Sequence, residues 1–227
     1  LCSELARAWE CDEPDDGSSC TSCTLDLALI LRGPGGAEAR AGVLTQRLVA
    51  RSGAEVEDRR LALELPTKTG ARWVLVAELA ESGIPGLANI TRDGELVHME
   101  TLTLPGVPGD ALWVEAEQRD EDIDAGRAAE ILSRTRTLTL CAPFFPGGAR
   151  CATIVREWFS QESIDGHLCA PELQALDVDV ERATGRVTVK SAPYAAPLPT
   201  EHPLHPWLGE HPLAALLADE RVARNVP

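Results

Sequence analysis

Residues 24–31 read Thr-Leu-Asp-Leu-Ala-Leu-Ile-Leu and run into Gly33-Pro34-Gly35-Gly36. Leu25, Leu27, Leu29 and Leu31 alternate, which puts them on one face of a strand, and the glycine–proline cluster ends that strand in a turn. The pattern continues outward. Residues 41–51 and 59–65 are two more strands, the second with Leu61, Leu63 and Leu65 on one face and Pro66 as its stop. Residues 72–79, Arg-Trp-Val-Leu-Val-Ala-Glu-Leu, have little polar content and read as a strand buried on both faces. Residues 87–104 read as a hairpin turning at Asp93-Gly94. A further strand begins at Leu112-Trp113-Val114. The acids Asp120, Glu121, Asp122 and Asp124 ahead of Ala125 predict a helix over about 122–134, because acids complement the positive end of a helix dipole. Residues 137–140 return to strand alternation.

Some seven short strands with alternating patterns predict a mainly β fold, either an antiparallel sandwich or a partly open barrel, with a few short helices. An α+β fold is the alternative. The expected organisation is a β-rich domain over 1–141 with a Cys-rich N-terminal segment. A Cys/Pro-rich extension over 142–227, ending in a helix, either follows it or packs with it as one domain. Within the extension, Cys151–Phe159 fits a strand or a helix. Val178 and Val180 face Val187 and Val189 across the turn at 182–185. Residues 192–212 hold six prolines and read as an extended strap. The chain from Pro212 to Arg224 reads as a helix with Leu213, Ala214, Leu216 and Leu217 in an apolar stripe. At the other end, residues 1–10 read as a short helix and 11–22 as an acidic loop.

The chain of 227 residues carries 21 Lys and Arg against 36 Asp and Glu, a net charge of −15. Such an acidic protein with dispersed Arg and two Lys is ill suited to nucleic acid or to an anionic membrane. Its charge favours solubility or a basic partner. No apolar run approaches the ~20 residues of a transmembrane helix. With Leu1 first and Met99 the only methionine, the front of the chain is expected to be processed or trimmed.

Seven cysteines, Cys2, Cys11, Cys20, Cys23, Cys141, Cys151 and Cys169, fall in two clusters. This clustering predicts local disulfides in a secreted or periplasmic protein, with at least one thiol left over. The rival readings of Cys20-Thr-Ser-Cys23 are a zinc knuckle and a redox pair. Three histidines, His202, His205 and His211, stand in the proline strap, and Glu-His-Pro-Leu occurs there twice. Imidazoles at this density are candidate ligands for zinc or copper, against a bland reading as surface residues of the strap. Asp165-Gly-His167-Leu-Cys169 places an acid, an imidazole and a thiol together, but Cys169 reads first as a disulfide partner. Esterase elbows, phosphate loops, dinucleotide fingerprints and haem-attachment motifs are absent. The expectation is an extracytoplasmic, disulfide-stabilised β protein with a binding or assembly role toward another protein or a second copy. The alternative is a metal-binding protein or metalloenzyme that uses the histidine strap.

Overall fold

The computed structural model describes residues 19–49, 55–67, 70–81, 90–124, 129–146, 148–195, 197–198, 200, 205–218 and 223–225. The strands are β1 (Ser19–Arg32), β2 (Glu38–Val49), β3 (Glu55–Thr67), β4 (Gly70–Glu81), β5 (Ile90–Thr103), β6 (Asp110–Asp124), β7 (Ala129–Ala142), β8 (Arg150–Ile164), β9 (His167–Leu168), β10 (Glu172–Glu181), β11 (Arg186–Ser191), β12 (Gly209–Pro212) and β13 (Ala223–Asn225). One α-helix, α1 (Leu213–Ala218), is present among the described residues. Strands β1 to β8 pair antiparallel in chain order, and β10, β11 and β12 extend the order. β9 and β13 pair with β8. The fold is therefore mainly β and antiparallel.

The meander folds into three layers. A single described residue pair, Glu81 opposite Arg92, joins β4 to β5. On one side of this thin joint, β1–β4 pack over β5–β8. Leu31, Ala41, Leu61, Leu63 and Val74 meet Leu112, Val114, Ala116, Cys141 and Cys151 there. On the opposite face of β5–β8, Leu102, Ala111, Leu140, Ala152 and Ile154 meet Leu176 of β10, Val187 and Val189 of β11, Trp207, and Leu213, Leu216 and Leu217 of α1. Neighbours in sequence such as Leu140 and Cys141 thus face different cores. The central layer is buried on both faces, so it carries small and branched apolar residues without simple alternation.

Two tight contacts fix how the layers meet. Gly109 holds φ +74°, and a Cβ there would lie 2.5 Å from the Arg32 carbonyl oxygen. Glycine lets the turn between β5 and β6 lie directly on the end of β1. Next to it, the Arg32 backbone N–H donates to Asp110 Oδ2 at 2.9 Å.

The disulfide joins Cys141 to Cys151, directly opposite partners in the β7–β8 register. Its sequence separation is 10 residues. Loop-closure entropy for so short a loop is worth ~2.7 kcal/mol. Replacing both cysteines by alanine is expected to remove about that much from the unfolding free energy in urea. A loss below ~1 kcal/mol would show that strain in the folded form cancels the entropic gain.

Several sequence expectations are corrected. Asp93 and Gly94 do not turn the chain. They lie inside β5, opposite Arg119 and Gln118. The ladder with β6 on both sides of them outweighs the turn preference of one dipeptide. The helix expected over 122–134 is strand wherever it is described, in β6 to Asp124 and in β7 from Ala129. Helix propensity is a weak preference, and here β7 is held between two full-length neighbours. The C-terminal helix is described over Leu213–Ala218, and within the expected helical span Ala223–Asn225 form a strand on β8 instead. The strap over 192–212 also contains a 3-10 turn at His205–Trp207 and the short β12. The hairpin around 182–185 has the expected register, Val178 opposite Val189 and Val180 opposite Val187. The boundary drawn at 141/142 falls within the last two residues of β7. The helix expected over 1–10 lies outside the described residues.

Candidate functional site

On the face of the central layer that carries the second core, the apolar residues give way to charge toward the β6 and β8 C-termini. Glu117 of β6 lies opposite Arg136 of β7, and Arg136 lies opposite Glu157 of β8. Arg136 Nε donates to Glu117 Oε2 at 2.6 Å. Arg119 Nε donates to Glu117 Oε1 at 2.8 Å. Arg134 donates to Glu157. A bulge in β8 places Arg156 as an extra residue between Val155 and Glu157. Bulges re-aim side chains, and Arg156 here reaches Glu115 of β6 at 3.1 Å. The Trp113 indole N–H donates to the same carboxylate at 3.1 Å.

Glu117 and Glu157 are buried, whereas their arginine partners are partly exposed. Burial pushes the Glu117 carboxyl up. Hydrogen bonds and charge from Arg136 and Arg119 outweigh that, so the carboxyl sits below the usual carboxylate range. The hydrogen bond that Arg136 donates to Glu117 in turn raises the Arg136 guanidinium. Each carboxylate is thus a fixed anchor that holds arginines upright along the strands.

Beyond this ladder the face becomes mixed. The Arg134 guanidinium lies 5.8 Å from the centre of the Phe159 ring. Phe159 is opposite Leu173 of β10. Leu132 is 42% exposed and Leu168 is 71% exposed. A cleft of about 590 Å³ is lined by Arg119, Asp120, Glu121, Leu132, Ser133, Arg134 and Phe159. Among the described residues, the buried Nε of Arg134 has no hydrogen-bond partner. A smaller recess of about 180 Å³ lies where β10 leaves the sheet, with Glu115, Arg136, Arg156, Asp177 and Tyr194 in its wall. An aromatic ring, leucines and arginines held by buried acids can make apolar and charge-assisted contacts at once.

No family model, curated protein or solved structure matches this chain.

The residues singled out from the sequence lie elsewhere. His202 is outside the described residues. His205 stands in the 3-10 turn and His211 on β12. His211 Nε2 is 2.9 Å from the Trp207 carbonyl oxygen, and the two rings stand 5.8 Å apart. Among the described residues, no three His, Cys, Asp or Glu side chains are grouped to hold a metal ion. Cys2 and Cys11 are outside the described residues, and Cys20 and Cys23 lie on β1. Cys169 is a free, partly buried thiol beyond β9, its backbone N–H bonded to the Glu162 carbonyl.

The ladder was not anticipated. Its signal was the period of two in Glu115-x-Glu117-x-Arg119 and in Arg134-x-Arg136. The helix assigned over 122–134 hid it by breaking the register between the two runs.

Proposed function

We propose that the protein is an extracytoplasmic, disulfide-stapled binding or assembly module whose partner is another protein, docked on the end of β6–β8 that extends beyond the second core. The observation that carries this reading is the Arg119–Arg134–Phe159–Leu132 surface. Aromatic and arginine side chains are the anchors that dominate protein interfaces, above all when they are held in place before contact. Buried Glu117 and Glu157 supply that support. The Cys141–Cys151 bond fits an oxidising compartment.

The test is site-specific photo-cross-linking in the source cells. A photoreactive residue at Leu132 is expected to give a discrete adduct heavier than the monomer, and Phe159→Asp is expected to abolish it. The same residue at Ile30, exposed on β1, is expected to give none. Equal labelling at both positions, or none at Leu132, overturns the proposal. An adduct of twice the monomer mass would make the partner a second copy. Zinc or copper at one per chain in the untagged protein would favour the histidine strap as the functional element instead.

A further inference from the structure

On the end of β6–β8 beyond the second core, Glu117, Arg119 and Glu121 share one face of β6. They lie opposite Arg136, Arg134 and Leu132 of β7. Phe159 of β8 is opposite Arg134, and Glu95 of β5 is opposite Glu117. The arginines of this face are engaged. Arg119 and Arg136 both bond Glu117, Arg134 bonds Glu157, and Arg156 pairs with Glu115. The Nε of Arg134 lacks a partner among the described residues, but it is buried and out of reach from outside. An acid brought to these guanidiniums must compete with Glu117 and Glu157. A buried carboxylate that loses its counter-charge is strongly unfavourable.

Two carboxylates on the same face are not engaged. Glu95 and Glu121 are exposed, and among the described residues neither forms a hydrogen bond or ion pair through its carboxylate. From the strand rise and spacing, their backbone positions are roughly 14 Å apart, on either side of Arg119. Glu121 also adjoins Leu132, which is 42% exposed, and Phe159 lies on the next strand. The free charge beside the apolar step is therefore negative. The chain as a whole carries −15. That field repels a second copy at long range and draws in a positively charged partner.

We propose that the protein docked on this surface is basic. It sets an apolar side chain on Leu132 and Phe159, and lysine or arginine side chains on Glu121 and Glu95. This rests on the docking surface of the proposed function and adds the charge of what docks there. The internal arginines then act as struts that hold the surface in shape, and the two free glutamates select the partner. Exposed charges of this kind act mainly on the rate of encounter and on its salt dependence.

The experiment mixes the purified full chain, with a photoreactive residue at Leu132, with an extract of the source cells. Adducts are formed at about 0.01 M and about 0.1 M salt, between which the screening length falls from roughly 30 Å to 10 Å. The cross-linked peptide is then sequenced by mass spectrometry. The expected result is a discrete adduct whose yield falls with added salt and whose cross-linked peptide holds Lys or Arg near the attachment point. Glu95→Lys combined with Glu121→Lys is expected to lower the yield about tenfold at the lower salt. An unchanged urea midpoint for that variant shows that docking was lost rather than folding. If the midpoint falls, Glu95→Gln with Glu121→Gln is expected to lower the yield in the same direction. An adduct that Phe159→Asp abolishes, but whose yield rises with salt or ignores the glutamate substitutions, overturns the inference and leaves the docking surface standing. So does an adduct of twice the monomer mass. No discrete adduct, or one that survives Phe159→Asp, removes the docking surface and this inference with it.

Discussion

Replacing Arg119 and Arg136 together by methionine is expected to destabilise the protein by about 3–5 kcal/mol at neutral pH, the cost of leaving a buried carboxylate without its counter-charge. Glu117 is 4% exposed and takes hydrogen bonds from both guanidiniums. Methionine keeps much of the apolar stem, so the loss reports on charge and hydrogen bonding more than on packing. The pH dependence identifies the cause. In the native protein the folded-state pKa of Glu117 is lowered. Its contribution is therefore full above the unfolded carboxylate pKa and is lost as pH falls through the folded value. In the double variant burial acts alone and raises that pKa. The variant's deficit is then largest at neutral pH and shrinks as the medium is acidified and Glu117 takes a proton. Urea unfolding of both proteins at neutral and mildly acidic pH reads the difference. A deficit under ~1 kcal/mol, or one independent of pH, would mean that Glu117 is solvated and not an anchor.

Leu140→Ala is expected to cost about 2–5 kcal/mol, the range for emptying a packed leucine site. Leu140 is 1% exposed and lies in the core formed with β10, β11, Trp207 and α1. Its place in the middle of three layers leaves little room for collapse around the hole, which argues for the upper part of the range. Leu168→Ala is the matched control, and its effect is expected within ~0.5 kcal/mol because Leu168 is 71% exposed. Equal losses at the two positions would mean that the C-terminal strands and α1 do not pack on the sheet. Midpoint and slope of denaturant unfolding separate a change in stability from a loss of cooperativity.

The class of fold was legible because strands facing solvent on one side leave a period of two. Leu25 to Leu31 and Leu61 to Leu65 carry that period in the sequence, and both segments are strands. The faces differ from the simple expectation: a register shift between Leu27 and Leu29 sends Leu25 to the cluster of Leu44 and Ala62 while Leu29 and Leu31 join Leu61 and Leu63, and Ala62 and Glu64 are buried too. The period disappears in the central layer. There both Leu140 and Cys141 are buried, so the alternation carries no sign of which face is which. The acidic run at 120–124 misled for another reason. The same acids that favour a helix start also suit a strand end, and only the partner across the ladder distinguishes the two. The ion-pair ladder could not be read because Glu117 and Arg136 are 19 residues apart and meet only when the register is known. Cys141 and Cys151 lie close enough in sequence to suggest a local bridge, and they form one.

The unbroken pairing of β1 through β8 in chain order also governs how the molecule can be made. A strand leaving the ribosome or a membrane pore finds its template already present, because its partner is the segment that emerged just before it. Sequence-local pairing of this kind shortens the search compared with folds whose first strand must wait for the last. The two stacking events are then left to whole sheets rather than to single strands. Among the described strands, the short β13 must travel back to β8, so most of the sheet is in place before that strand arrives.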